Sequence, residues 1–202
     1  MKIPEFQVTA SKTPCTGFNL PLFPNGLSWD EINAILTAHD FQYTYIIERD
    51  ENKKYIKDYR VGSLKEGSTP KEMFDELRGA VSKGWTIKAE NVEFWNRDLL
   101  LRALDLHPRY KPTLHLYVGQ EGGTSFGMHT DPDPVVVTCV QGEKTFNLEG
   151  YDPIVLTPSR WLYIPPNHPH EAISNTISAI VSIGFHKWTD ETPSYYLPNL
   201  SK

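Results

Sequence analysis

The chain has 202 residues, with 20 Lys and Arg against 25 Asp and Glu, and its formal net charge is −5. Hydrophobic residues make up 39% and charged residues 22%, which favours a folded globular domain over a disordered chain. The acidic balance, without a cluster of Lys and Arg, argues against nucleic acid as a partner. Cys15 and Cys139 are the two cysteines, too few for a disulfide scaffold or a four-thiolate zinc site.

Membrane association is not predicted. Residues 1–10 alternate polar and apolar side chains and lack the apolar stretch of a secretory signal. The uncharged residues 172–185 are too few, and too rich in Ser, Thr and Asn, to span a bilayer. We therefore expect a cytoplasmic protein that is a monomer or a weak homodimer. The length fits a single domain, residues 1–202.

Two helix starts are marked in the first half of the chain. Ser28 and Thr69 are each followed three residues later by a glutamate, Glu31 and Glu72. This is the capping-box pattern, in which hydroxyl and carboxylate accept hydrogen bonds from amides at the helix start. Pro70 follows Thr69, and proline suits the first helical position. The pattern predicts helices that begin at about residues 29 and 70.

A third helix is predicted from Arg97 to Leu106, before Pro108 ends it. Its apolar residues include Leu100, Leu101 and Leu104. From residue 112 onward the pattern changes to short β-rich runs separated by turn residues. The predicted strands cover residues 113–118, 135–140, 144–148, 161–164 and 177–185, and residues 141–143 are expected to form a hairpin connection. These runs predict a sandwich or small barrel with the helices outside.

Histidines and carboxylates of the second half have the spacing of metal ligands. His129 and Asp131 are two residues apart, so on an extended chain both side chains leave the same face. A later histidine, His168 or His170, would complete the two-His, one-carboxylate set of non-haem Fe(II) oxygenases. The alternative is a structural one: residues 129–134 form an Asp/Pro turn, and the later histidines belong to a polar loop.

The residues around these histidines resemble those of a known enzyme family. Residues 122–131 (GGTSFGMHTD) are similar to the segment with the first two iron ligands in JmjC-type 2-oxoglutarate oxygenases. Residues 163–166 (YIPP), followed by His170, resemble the distal-histidine motif of that family. The resemblance covers residues 113–186 and is weaker over 84–110.

The resemblance implies a mainly β (α+β) fold, a double-stranded β-helix of the jelly-roll or cupin type with N-terminal helices packed outside. Residues 1–111 would form a helical and β lead-in, and residues 112–188 the metal-binding barrel core. The implied cofactors are Fe(II), 2-oxoglutarate and dioxygen. The implied ligands are His129, Asp131 and His170, where His170 has the family's place after the Pro-Pro turn and His168 remains the alternative.

The co-substrate 2-oxoglutarate needs a cation for its distal carboxylate, because a buried carboxylate must be paired. Lys144 stands thirteen residues after Asp131, as the family's lysine does. If Lys144 points inward, Phe146 and Leu148 do so as well. The alternative is a solvated lysine at a hairpin end.

Three further residues are candidate co-substrate contacts. Tyr117, on the strand before the metal motif, would either offer its phenol to the co-substrate or a substrate, or be a core tyrosine with its hydroxyl at the rim. Phe126 would form a wall. Ser182 shares a face of the last strand with Ser178, so their hydroxyls would either line the barrel or simply allow close packing. Val135 stands where many relatives have an asparagine that binds the co-substrate, a departure from the family pattern.

The implied reaction couples decarboxylation of 2-oxoglutarate to succinate with oxidation of a substrate C–H bond, giving hydroxylation or N-demethylation. The substrate would be a peptide, a protein or a small molecule, and no catalytic residue beyond the metal ligands is expected. The region 49–67 is expected to be a loop at the barrel mouth that either recognises the substrate or is merely solvated. Two other interpretations remain open: a cupin-type metalloenzyme that does not use 2-oxoglutarate, with Lys144 on the surface, and a non-catalytic ligand-binding module.

Overall fold

Two antiparallel sheets face each other at the centre of the molecule. The computed structural model describes residues 11–18, 20, 22–38, 43–52, 54–63, 67–95, 97–107 and 109–187. The strands are β1 (Cys15–Phe18), β2 (Thr44–Arg49), β3 (Tyr55–Arg60), β4 (Thr86–Ala89), β5 (Tyr110–Gly119), β6 (Val135–Gln141), β7 (Lys144–Leu148), β8 (Ile154–Leu156), β9 (Arg160–Ile164), β10 (His170–Ser174) and β11 (Ser178–Lys187). Within these residues, the larger sheet has the order β1-β9-β6-β11-β5-β4-β2-β3 and the smaller β10-β7-β8.

The space between the sheets is filled by alternating side chains. On β7 the inward residues Lys144, Phe146 and Leu148 are buried, while the two between them are partly exposed. They pack with inward residues of β6 and β9 such as Val137 and Leu162. β6 is buried along almost its whole length, since its other face is covered as well, and its Val residues suit a strand enclosed on both faces. This arrangement is the predicted double-stranded β-helix, or jelly roll.

The predicted hairpin at residues 141–143 is wrong. β6 pairs with β9 and β11, whereas β7 pairs with β10 and β8. The connection therefore passes from the larger sheet to the smaller one. Gly142 has φ +72, and a side chain there would meet the backbone of Ile177 and Ser178, so the sharp change of sheet depends on glycine.

Three helices are described: α1 (Trp29–Ala38), α2 (Pro70–Ser82) and α3 (Arg97–Leu106). Both capping boxes form as predicted. The Ser28 amide donates to Glu31, and the Glu31 amide donates to the Ser28 hydroxyl; Thr69 and Glu72 repeat the arrangement. α2 ends at Ser82, with Lys83 as its C-cap residue, and Gly84 follows with φ +75, as a helix C-terminus favours.

The helices α1 and α3 cover the outer face of the larger sheet. The buried residues of α3 are Leu99, Ala103 and Leu106, and Leu101, one of its predicted apolar residues, is 38% exposed. The helix is rotated so that positions 99, 103 and 106, at helical spacing, face a core that includes Ile35 of α1. Helices packed outside the barrel confirm the predicted architecture.

The lead-in extends the larger sheet with β4, β2 and β3. The expected loop at residues 49–67 is therefore wrong over Tyr55–Arg60, which is a strand paired with β2. β3 has a described partner on one side only and is largely exposed, so it lacks the polar-apolar alternation by which a half-buried strand is predicted. Residues 1–10 lie outside the described residues. None of the described helices is long and apolar enough to cross a membrane.

Candidate metal centre and the cavity around it

The structure brings His129, Asp131 and His170 together. One possible ligand atom of each lies within 4.8 Å of those of the other two, and His170 Nε2 is 3.5 Å from Asp131 Oδ2. The two histidines face each other across an isolated antiparallel bridge, with backbone hydrogen bonds of 2.9 Å and 2.8 Å in the two directions. The pairing holds residues that are far apart in sequence on one side of the barrel.

The hydrogen bonds of both rings determine which nitrogen is free. His129 Nδ1 lies 2.8 Å from the Gly127 carbonyl oxygen, and His170 Nδ1 lies 2.9 Å from the His168 carbonyl oxygen. A carbonyl oxygen only accepts hydrogen bonds, so each Nδ1 carries the proton and each Nε2 keeps a lone pair. Burial is the main cause that lowers the pKa of His170. The neutral imidazole that this favours is the form that binds metal ions.

His168, the alternative third ligand, lies apart from this cluster. Among the described residues, the one group with metal-ligand spacing contains His170 and not His168. The His168 ring instead contacts Tyr151, with ring centroids 5.5 Å apart. Its contribution to the cluster is its carbonyl oxygen, which orients His170.

A cavity of about 230 Å³ opens beside the three residues. It lies between the two sheets and receives side chains from β5, β6, β7, β10 and β11. Its apolar lining includes Val135, Val137, Phe146, Ala172 and Ile180, and its polar lining includes Lys88, Thr113, His115, Ser125, Asp133, Ser182 and His186. Val135, the residue at the family's asparagine position, thus contributes an apolar wall.

Aromatic rings form the wall next to His129. The Phe126 ring packs edge-on against His129 with a centroid distance of 5.7 Å, and against Tyr117 at 6.3 Å. Tyr55 of β3 contacts the other side of Phe126 at 5.8 Å. Phe126 therefore orients the His129 ring by packing. Burial is the main cause that raises the pKa of Tyr117, so its hydroxyl stays protonated.

The end of the barrel around Lys144, Ser174 and Ser178, called the inner end below, contains buried polar atoms that have no hydrogen-bond partner among the described residues. Lys144 is 0% exposed, and its Nζ atom has no hydrogen-bond partner among the described residues. The hydroxyls of Ser174 and Ser178 are also buried and unpartnered. Ser174 is opposite Lys144 in the β10–β7 pairing, and a Cβ on Gly119 would lie 2.8 Å from Ser174 Oγ and 3.8 Å from Lys144 Nζ. Burial is the main cause that lowers the pKa of Lys144, to about 8.

The outer end of the barrel, around Thr113, Asp133 and His186, has polar side chains that are hydrogen-bonded to one another. His186 Nδ1 lies 2.7 Å from Asp133 Oδ2, and His186 Nε2 lies 2.9 Å from Thr113 Oγ1. The three side chains form a hydrogen-bonded chain along one wall of the cavity. His115 and Ser182 are opposite each other in the β5–β11 pairing. Burial is the main cause that lowers the pKa of His115, to about 4, so this imidazole is neutral at pH 7.

Other residues of the inner end have no motif in the sequence. Arg49 of β2 is 5% exposed and donates to Thr86 Oγ1 at 2.7 Å and to Thr124 Oγ1 at 3.0 Å. Ser174 was not predicted either, although its position four residues after His170, on the same face of β10, would have indicated it. Arg49 and Thr86 come from separate strands of the lead-in, and no spacing rule connects them to Lys144.

The fold is similar to that of solved oxygenase structures. YcfD, a ribosomal oxygenase from Escherichia coli, in complex with cobalt and 2-oxoglutarate matches with a TM-score of 0.63 at 20% identity, over 93% of this chain and 50% of that one. The same protein with cobalt and succinic acid gives 0.62 and 19% over 93% and 50%, and a further E. coli ycfD structure gives 0.62 and 17% over 89% and 51%. The chain thus spans about half the length of these structures. No family model and no curated protein matches the sequence. The resemblance to JmjC-type oxygenases is confirmed at the level of the fold.

Proposed function

We propose that the protein is an Fe(II)- and 2-oxoglutarate-dependent oxygenase. The proposal is carried by one observation: His129, Asp131 and His170 converge at the cavity, and the same barrel buries an unpaired Lys144 at its inner end. Two imidazoles and one carboxylate suit Fe(II) and leave coordination positions free. A buried, unpartnered ammonium suits the distal carboxylate of a dicarboxylic acid.

His129 and His170 would bind the iron through Nε2, and Asp131 through a carboxylate oxygen. The carbonyl groups of Gly127 and His168 hold the two rings in the required tautomer, a role that supporting hydrogen bonds have at many metal sites. The Asp131 carbonyl also accepts a hydrogen bond of 2.7 Å from the Asn167 amide, which links the first two ligands to the turn before the third.

The co-substrate would lie between the metal ligands and Lys144. Along the β10–β7 pair, His170 is opposite Leu148, and Ser174 is opposite Lys144. Four residues of a strand span roughly 13 Å. A short dicarboxylic acid would bridge this separation together with the side chains that reach inward from both ends. Lys144 and Ser174 would pair with its distal carboxylate, and Tyr117, Phe126 and Ser182 remain candidate contacts.

Iron and 2-oxoglutarate would together supply the activation of dioxygen for oxidation of a C–H bond. The protein's own residues would bind, orient and exclude water. Val137, Phe146 and Ile180 give the cavity an apolar wall, which keeps bulk solvent from the reacting groups. Related halogenases leave the coordination position of the carboxylate ligand to a halide ion. Asp131 would occupy that position here, so hydroxylation or demethylation is favoured over halogenation.

The burial of Lys144 also bears on the alternative functions. A cupin-type metalloenzyme that does not use 2-oxoglutarate needs no internal cation for a distal carboxylate, and a non-catalytic module would need one only if its own ligand were an anion. Burying one lowers stability unless a ligand compensates for it. The substrate we propose is a peptide, a protein or a small molecule, in line with the net charge of −5, which disfavours nucleic acid.

The test is an anaerobic titration of the purified protein with Fe(II) and 2-oxoglutarate. We expect the visible charge-transfer band of a chelated 2-oxo acid in the parent and its loss in the Asp131→Ala variant. The His168→Ala variant is the control, since its side chain lies outside the cluster, and it should retain the band. If the parent binds Fe(II) without forming the band, the co-substrate assignment is wrong. If Asp131→Ala forms the band and consumes 2-oxoglutarate like the parent, the ligand assignment is wrong.

A further inference from the structure

His115 is a residue of the cavity wall that has no part in binding the metal or the distal carboxylate. It lies on β5, where Leu114 and Leu116 are buried in the core behind the larger sheet. Residues of a strand alternate between its two faces, so His115 points the other way and lines the cavity. The metal ligand His170 lines the same cavity from β10 of the smaller sheet. The His115 imidazole therefore borders the space beside the metal centre, from the opposite sheet.

The ionisable groups that act on His115 each have a partner within the protein. After burial, the pKa of His115 is affected by the charges of Lys88, Glu90 and His186. Lys88 Nζ lies 2.5 Å from Glu90 Oε1, and His186 Nδ1 lies 2.7 Å from Asp133 Oδ2. Lys88, Asp133 and His186 also line the cavity. A charged substrate group at this wall would therefore find the oppositely charged side chains already engaged.

His115 differs from these neighbours because its ring is not hydrogen-bonded to any residue that the structure describes. Its interactions with described residues are the charges just named and a contact with the Tyr117 ring, at a centroid distance of 6.5 Å. Burial lowers its pKa to about 4, and a neutral imidazole has one N–H donor and one acceptor nitrogen. Ser182, opposite His115 on β11, adds a hydroxyl to the same lining. An unpaired, uncharged donor and acceptor thus face the cavity.

An amide is the substrate group that matches this wall. It has both an N–H donor and a carbonyl acceptor, so it can pair with either imidazole nitrogen without bringing a charge into the cavity. A carboxylate or an ammonium would lose its hydration there, and a neutral imidazole cannot neutralise it. Desolvating a charge costs more than desolvating an amide. The apolar lining, which includes Val135 and Val137, increases this difference by lowering the local dielectric constant.

We propose that His115 determines the substrate specificity of the site, through a hydrogen bond to an uncharged amide group next to the C–H bond that is oxidised. The inference rests on the proposed function and names its substrate class, a side chain or small molecule that carries an amide. The reaction is then a hydroxylation, in which the substrate C–H group, dioxygen and 2-oxoglutarate give C–OH, succinate and carbon dioxide. Substrates with a methylated ammonium group, and hence N-demethylation of a cation, are disfavoured.

The test measures binding next to the metal in Mn(II)-loaded protein with 2-oxoglutarate bound. The probes are butyramide, butyrate and butylammonium, which are similar in size and differ in charge. Mn(II) accelerates the NMR relaxation of probe protons that bind close to it, and Zn(II)-loaded protein is the diamagnetic reference. We expect the largest acceleration with butyramide. His115→Leu should weaken butyramide binding about 2- to 10-fold, the range for one hydrogen bond between neutral groups, and His115→Gln, which keeps a donor and an acceptor, should restore most of it.

The matched control is His168→Leu, which should behave like the parent because the His168 ring contacts Tyr151 instead of the cavity. Isothermal titration should give the same 2-oxoglutarate affinity for His115→Leu and the parent, and an equal loss of 2-oxoglutarate and butyramide affinity would overturn the substrate role.

The parent alone provides a second test, which does not depend on the folding of a variant. The inference is wrong if the parent binds 2-oxoglutarate but favours butyrate or butylammonium over butyramide, or if His115→Leu binds butyramide as the parent does. In both cases the proposed function stands. If the Mn(II)-loaded parent does not bind 2-oxoglutarate, the proposed function itself fails, and this inference fails with it.

Discussion

The polar side chains at the two ends of the barrel differ in their hydrogen bonding and in their burial. At the outer end, Asp133, His186 and Thr113 satisfy one another in a hydrogen-bonded chain, and the side chains of the first two are about 40% exposed. At the inner end, Lys144 and Ser174 are buried and have no hydrogen-bond partner within the part of the chain that the structure describes. The outer-end residues line the cavity beside the three candidate metal ligands, whereas Lys144 is two residues from Phe146, a lining residue on the same strand.

We interpret the hydrogen-bonded side chains of the outer end as part of the folded structure, and the buried polar groups of the inner end as candidates for ligand binding. A satisfied polar chain near solvent needs nothing more, and its removal costs little. A buried ammonium without a partner lowers the stability of the free protein, and a bound anion would offset that cost. Substitutions at the metal ligands and at the inner end should therefore change ligand affinity, whereas those at the outer end should change only stability, and by little.

The largest effect is expected at the candidate metal ligands. His170→Ala removes an imidazole that no neighbouring side chain replaces, and we expect at least a 100-fold loss of Fe(II) or Mn(II) affinity, since even supporting residues cost about 10- to 100-fold. Equilibrium metal titration measures the loss. His168→Ala should change the affinity by less than about 3-fold, given that its ring lies against Tyr151. If His168→Ala were the more damaging change, the third ligand would be misassigned.

At the inner end, Lys144→Met should reduce binding and raise stability in the same variant. We expect 2-oxoglutarate affinity to fall about 100-fold with the loss of the charged partner. The free energy of unfolding of the unliganded protein should rise by about 1 to 3 kcal/mol at pH 7, because an unpaired buried charge is replaced by an apolar side chain. Calorimetry and urea denaturation measure the two quantities. A destabilised variant would indicate that Lys144 has a structural partner.

The pH dependence of binding should follow Lys144. With its pKa lowered to about 8 by burial, the free protein loses the ammonium as the pH rises, so 2-oxoglutarate affinity should fall about tenfold from pH 7 to pH 9. Stability should change in the other direction. Between pH 8 and 10.5, the ordinary pKa of a lysine, the folded state holds fewer protons than the unfolded state. The free energy of unfolding should therefore rise with pH over that range, relative to Lys144→Met. A pH-independent affinity would contradict the role of the ammonium.

The smallest effect is expected at the outer end. Asp133→Asn weakens the chain to His186, whose side chain is 42% exposed, and solvent screens such interactions. The free energy of unfolding should fall by less than about 1 kcal/mol, and the affinity for 2-oxoglutarate should remain that of the parent. Thermal denaturation and calorimetry measure both. A marked loss of 2-oxoglutarate affinity would show that the outer end also takes part in binding the co-substrate.

Much of the fold was predictable because its patterns are local. The capping boxes at Ser28 and Thr69 need only residues three apart in sequence, and the inward alternation of Lys144, Phe146 and Leu148 follows from the strand repeat of two. By contrast, β3 was not predicted, since a strand at a sheet edge with exposed, charged side chains has no repeat to detect.

Spacing in the sequence was enough to indicate the candidate residues: the pair His129 and Asp131, two apart on one face, a late histidine, and an inward lysine. Three features depend on the folded chain instead: that His170 is the late histidine beside the pair, that the chain changes sheets at Gly142, and that Arg49 reaches the inner end. The bonds of Arg49 to Thr86 and Thr124 span 37 and 75 residues of sequence. Contacts of that kind depend on how separate strands pack, whereas sequence repeats report only the conformation of one segment.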